Sequence, residues 1–217
     1  QSSVVVNQSA FYDKIYGMGL NSILNQIKKP GNILDIGCSA GVFLDFSKRS
    51  GWNTFGIELN QTEARFAEEK GHKIQSQLLS KCSFDVKFDA ITLWDVFEHI
   101  PEPTELLNDL KKISNKETIF FFQCPSSDSL ASKILQEKCN MFDGLEHVNI
   151  YNKKSIELLL ANHGFEVLSF ESVISEIGVM NNYLSFEDPY FGGSENKQVL
   201  IDLFSEKFIL DNNLGYK

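Results

Sequence analysis

Apolar side chains recur every three or four positions near the start of the chain, at Phe11, Tyr12, Ile15, Tyr16, Leu20, Ile23, Leu24 and Ile27. That period predicts an amphipathic helix over 11–27, which Pro30-Gly31 stops. The short apolar run "NILDIG" then reads as a buried strand, followed by a helix over 41–50 that Gly51 ends. "NTFGIE" predicts a second strand. Asn60 and Glu63 have capping-box spacing and open a helix that runs to Lys70 and ends at Gly71. "HKIQS" and "FDAITLW" predict a third and a fourth strand. After Pro101 and Pro103 come a helix over 104–113, a fifth strand in "TIFFFQC", a helix over 155–163 and a sixth strand in "FEVLSFES".

Strands alternating with helices imply an α/β fold: a doubly wound, mostly parallel sheet with crossovers on both faces. The reading divides the chain into a helical segment (1–29), a core (30–175) with an insert at about 126–150, and a C-terminal extension (176–217). The extension is expected to begin with the loop "YLSFEDPYFGGSEN" and to continue as a helical stretch to about position 212. "LGYK" resembles the first residues of a further strand, so the expectation is either a chain cut before a seventh strand or an edge completed differently.

Composition narrows the function classes. The 217 residues carry 29 acidic and 20 basic side chains, a net charge of -9. Such a surface repels phosphodiesters, and the longest basic clusters are pairs such as Lys28-Lys29, so nucleic-acid binding is not expected. Cys38, Cys82, Cys124 and Cys139 form no Cys-x-x-Cys pair, and no His/Cys group has zinc spacing, so neither a disulfide framework nor a metal is expected. Lacking a signal-like start and any apolar window of spanning length, the chain is expected to be cytoplasmic and off the membrane.

The first strand runs into Asp35-x-Gly37-x-Ser39-x-Gly41 and then directly into a helix. Glycines allow a sharp turn and close approach of a ligand to the backbone, and the helix start favours electron-rich groups. A dinucleotide fingerprint wants glycine where Ser39 stands, and the Gly-Lys-Ser/Thr of a phosphate-binding P-loop is absent. Glu58, at the end of the second strand, is placed to accept hydrogen bonds from both hydroxyls of a ribose. These residues favour a nucleoside ligand over a phosphate-bearing one.

"FDAITLWDVFEHIPEP" brings Trp94 and Asp95 to the end of the fourth strand, followed by Glu98 and His99. "LDIGCSAG", Glu58, this segment and "GLEHVNIYNKKSIELLLANHGFEV" together resemble the class I S-adenosylmethionine-dependent methyltransferases. Within them the chain is similar to the small-molecule branch of quinone, sugar and natural-product methylators, over about residues 10–172. The resemblance implies the family's Rossmann-like fold with an N-terminal helical lid, and S-adenosylmethionine as cofactor. It implies that Asp35, Gly37, Cys38, Ser39 and Gly41 hold the amino-acid end, Glu58 and Leu59 the ribose side, and Ser76 and Gln77 the adenine. Trp94 and Asp95 would line the methionine portion, with Tyr12 or Tyr16 reaching its carboxylate.

Methyl transfer to an alcohol also needs a base. His147, beside Glu146, is the first candidate and His99 the second. The expected activity is O-methylation of a small hydroxylated metabolite such as a sugar, quinone or polyketide-like ring, by a monomer or homodimer. N- or C-methylation on the same fold, a nicotinamide-dependent oxidoreductase and a non-catalytic cofactor-binding module are the rival readings.

Overall fold

In the computed structural model of the chain, residues 2–172 and 206–215 are described. The expected tail loop at 183–196 and the chain's last two residues lie outside them. The chain divides into two compact units. The first comprises Gln1–Phe97 and Glu102–Gln123, the second Glu98–Pro101 and Cys124–Lys217.

The first unit is built on five parallel strands: β1 (Asn32–Ile36), β2 (Asn53–Ile57), β3 (Lys73–Gln75), β4 (Ala90–Trp94) and β5 (Ile119–Gln123). Their order is β3-β2-β1-β4-β5. Chain direction across the sheet therefore reverses between β1 and β4, which pair with Asp35 opposite Thr92. Strands inside such a sheet are buried on both faces and read as unbroken apolar runs. Ile33, Leu34, Ala90, Ile91 and Leu93 are accordingly fully buried, whereas every residue of β5, the last strand of that order among the described residues, is half-buried.

Helices flank the sheet: α1 (Ser2–Gln26), α2 (Val42–Arg49), α3 (Gln61–Glu69) and α4 (Pro103–Ile113). The helix α1 begins earlier than its apolar period predicts. Leu20 and Ile23 of its second half are part of the main core, with Phe43 and Leu44 of α2 and Trp52. Pro103 opens α4, where its missing N–H costs nothing, and Lys111 and Lys112 complement the negative end of the helix.

Under α2, the buried ring of His72 links Thr54 Oγ1 (2.8 Å) to Asp45 Oδ1 (2.9 Å), and Lys70 Nζ sits 2.8 Å from the same Asp45 carboxylate. Burial alone would raise the pKa of Asp45, but the bonds from Lys70 and His72 outweigh it and hold the group below its usual range.

In the second unit, Ser129 caps α5 (Leu130–Leu135), and Asn152 and Ser155 form a reciprocal capping box at α6 (Lys153–Asn162). Ala131, Leu135, Cys139 and Met141 form its small core. The sixth strand expected at 165–172 does not form among the described residues. Val167 and Leu168 are exposed there; an alternating pattern does not by itself make a strand. A short helix, Glu206–Asp211, lies within the expected helical tail. No disulfide joins the four cysteines, and no helix among the described residues is long and apolar enough to cross a membrane.

Candidate active site

Of the predicted cofactor residues, Asp35 to Gly41, Glu58, Leu59, Trp94 and Asp95 fall at the carboxyl ends of three neighbouring strands, β2, β1 and β4, whereas Ser76 and Gln77 follow β3 and Tyr12 lies on α1. After β1 the chain turns through Gly37 (φ 77°), Ser39 (φ 47°) and Gly41 (φ 78°) into α2. A Cβ at Gly37 would come within 2.5 Å of Val96 Cγ2, and the left-handed φ is strained for any L side chain. Gly37 and Cys38 donate their N–H groups to the carbonyl of Ile57 at 2.8 and 3.1 Å, which ties the turn to the end of β2.

Glu58 sits beside that turn. Its Oε2 accepts the N–H of Ser39 at 2.9 Å, and its Oε1 accepts the N–H of Asn60 at 2.7 Å. Two backbone donors thus fix the carboxylate at the tip of β2, and each oxygen keeps lone-pair capacity for a further donor such as a ribose hydroxyl. The same bonds explain why only half of the expected capping box forms. Asn60 Oδ1 accepts from Thr62 and Glu63, but its N–H is already given to Glu58, so Glu63 instead accepts from Ser39 Oγ at 3.1 Å.

Asp35, one residue before the end of β1, is buried. Burial raises its carboxyl pKa to about 8; a 2.7 Å hydrogen bond from Thr92 Oγ1 opposes the shift and the nearby charge of Glu58 adds to it. The group therefore acts inside the sheet, holding β1 to β4. Cys38 is also buried, and its Sγ occupies the space a side chain at Gly56 would need. Burial and the carboxyls of Asp35 and Glu58 push its thiol pKa far up, so it contributes small size rather than a thiolate.

Asp95, at the tip of β4, has φ 51°, an uncommon conformation for a non-glycine residue, and Gln123 Nε2 approaches its carboxylate at 3.4–3.5 Å. Strained residues persist where surrounding structure enforces them, often at ligand sites, and Ser39 and Asp95 occupy adjacent strand ends. The Trp94 ring packs among Tyr16, Phe43 and Phe121, with centroids 4.6–5.0 Å away. Gly19 is what admits it, since a Cβ there would lie 2.5 Å from the ring. Tyr12 stacks on Tyr16 at 5.6 Å and is exposed. Leu59 and Ser76 are exposed, while Gln77 donates to Gln75 Oε1 and to the carbonyl of Lys81.

The second unit gathers the two candidate bases. The His99 and His147 rings stack with centroids 5.0 Å apart at 23°. His99 Nδ1 donates to the carbonyl of Glu146 at 2.7 Å, so Glu146 contributes its backbone to His99 while its side chain is exposed. The carboxylate beside His147 is that of Asp143, with Oδ2 3.0 Å from Nδ1, although the ring N–H is not aligned on it as a hydrogen bond. Asp143 Oδ1 accepts the backbone N–H groups of Leu145, Glu146 and His147, led by Leu145, and these bonds hold its pKa below the usual carboxylate range. Asn149 fastens the assembly, donating its N–H to the carbonyl of Glu98 and Nδ2 to that of Ile100.

Sequence reasoning missed Asp143 and the buried Glu98 as members of this cluster. Its only signal was the repeated Glu-His dipeptide, at 98–99 and again at 146–147.

An open parallel sheet with a glycine turn and an acidic residue at its reversal point defines a nucleotide-binding α/β protein. The profile of the methyltransferase-domain family matches residues 10–170, and the chain belongs to that family. Its cofactor is S-adenosylmethionine, which displaces the nicotinamide reading.

The ubiquinone biosynthesis O-methyltransferase of Actinobacillus pleuropneumoniae is 27% identical over 103 residues, 42% of this chain and 44% of that protein. Its counterpart in Pasteurella multocida is 26% identical over 107 residues, with the same coverage. The chain thus matches less than half the length of these curated relatives. Among solved structures, a SAM-dependent methyltransferase from Archaeoglobus fulgidus superposes with a TM-score of 0.62 at 18% identity, over 99% of this chain and 95% of that one. The plantazolicin methyltransferase BpumL, bound to a desmethyl plantazolicin analogue and S-adenosylhomocysteine (SAH), does so at 0.60 and 18%, over 96% and 86%. At these identities the likeness concerns the fold.

The residues present fit the cofactor. A Cβ would close the bend at Gly37, and the fixed Glu58 carboxylate supplies acceptors of the kind a ribose diol needs.

Proposed function

We propose that this chain transfers a methyl group from S-adenosylmethionine to an oxygen of a small hydroxylated acceptor, of sugar, quinone or polyketide-like type. The observation that carries the reading is the convergence of the Gly37–Gly41 turn, Glu58 and Asp95 at the carboxyl tips of β1, β2 and β4. The O-methyltransferase relatives support oxygen as the methylated atom, and the plantazolicin enzyme supports a natural-product-sized acceptor.

Bound cofactor supplies a sulfonium-activated methyl group, so the chain's own residues mainly position and desolvate the reactants. Glu58 would accept the ribose hydroxyls, the Gly37–Gly41 backbone would take the amino-acid end, and Leu59 would present an apolar face to the nucleoside. Trp94 would form the aromatic floor beneath the methionine portion. His147, with Asp143 beside it, or His99, held by Glu146, would take the acceptor's proton.

Incubation with S-adenosylmethionine and a panel of hydroxylated acceptors, read by mass spectrometry, tests the reading. A product heavier by one methylene unit and methylated at oxygen is expected. Methylation only at nitrogen or carbon would contradict the choice of atom. Cofactor binding with no transfer to any acceptor would favour a non-catalytic module.

A further inference from the structure

We propose that Glu98, His99 and His147 form a binding site for a divalent transition-metal ion. One potential donor atom from each residue lies within 4.8 Å of those of the others, and His99 Nε2 is 4.0 Å from Glu98 Oε1. Metal–nitrogen and metal–oxygen bonds of about 2.1 Å put tetrahedral donors roughly 3.4 Å apart, so modest side-chain rotation closes the set around one ion.

The tautomers suit this use. A carbonyl oxygen only accepts, so His99 Nδ1 carries the proton given to Glu146 and Nε2 keeps its lone pair. Metal-bound histidines are held this way, with the second ring nitrogen donating to a carbonyl or carboxylate. His147 Nδ1 lies 3.0 Å from Oδ2 of Asp143, the kind of carboxylate that orients a ligating imidazole through its other nitrogen.

Two imidazoles and one carboxylate suit zinc, cobalt, manganese or iron better than magnesium or calcium. Three protein donors leave a position open, as in catalytic rather than structural sites. That position would take a water or a ligand hydroxyl and lower its pKa. In the metal-bound protein His99 and His147 would serve as ligands.

The test is titration of the chelator-treated protein with Co2+, followed by visible absorption and by the imidazole NMR signals of all four histidines. One equivalent is expected to bind, to be displaced by Zn2+, and to shift or broaden His99 and His147 while sparing His72 and His163. Glu98→Gln and His99→Ala are each expected to weaken Co2+ binding at least 10-fold, with SAH still bound, which shows the variants to be folded. No stoichiometric binding, or equal effects on all four histidines, would overturn the site. The SAH titration reports separately on the methyltransferase reading, so loss of one leaves the other standing.

Discussion

The strand tips of the first unit and the histidine cluster of the second are built on opposite principles. Gly37, Ser39, Glu58 and Asp95 each lie within three residues of the end of a β-strand. Their positions follow from the parallel ladder and from backbone bonds such as Ser39 N–H to Glu58. Glu98, His99 and His147 lie on no strand; loop hydrogen bonds spanning 47 to 49 positions bring them together. A site fixed by a rigid sheet suits an invariant cofactor, whereas one stitched together from loops can change with its acceptor. The lesson is that one fold keeps what all its members bind on its rigid elements and leaves what distinguishes them to connections.

If the division holds, damage to the loop-built cluster should reach turnover and leave the cofactor alone. His147→Ala is expected to lower turnover about 10²- to 10⁴-fold with SAH affinity retained. Steady-state kinetics beside calorimetry would show it, and full activity would reduce His147 to a structural anchor.

The strand-tip region carries a pH signature of its own. Because the carboxyl pKa of Asp35 rises from 3.8 to about 8 on folding, the folded chain holds a proton that the unfolded chain releases between those values. Its contribution to stability is complete below 3.8 and is lost as pH climbs toward 8, by at most about 1.4 kcal/mol per pH unit. Denaturant unfolding from pH 5 to pH 8 should show that decline, and Asp35→Asn should flatten it. An unchanged slope in the variant would assign the pH dependence elsewhere.

A smaller effect sharpens the backbone side of the comparison. Gly37→Ala places a methyl against Val96 at φ 77° and is expected to cost about 1–2 kcal/mol, lowering Tm by roughly 2–8 °C. It should also weaken cofactor binding. A wild-type melting curve with wild-type affinity would mean that the turn relaxes freely.

The same contrast explains what could be read from the sequence. The turn after β1 and the acid after β2 were legible, because local pattern and the parallel fold settle them. The half-formed capping box was not, since it depends on Glu58 reaching the N–H of Asn60 first. The expected strand at 165–172 does not form among the described residues, an outcome its alternation does not encode. Trp94 was expected against the cofactor, and its ring is wedged over Gly19 among three aromatic residues. His99 and His147 were named as rival bases; that they stack on one another, with Glu98 beside them, depends on loop geometry that periodicity does not carry.

The most direct measurement is calorimetric titration of SAH into the wild-type chain and into Glu58→Ala. The account predicts saturable one-to-one binding to the wild type and a 10- to 100-fold loss in the variant, roughly 1.4–2.8 kcal/mol. Equal affinity for both proteins would contradict it, since the carboxylate fixed at the tip of β2 would then have no part in holding the nucleoside.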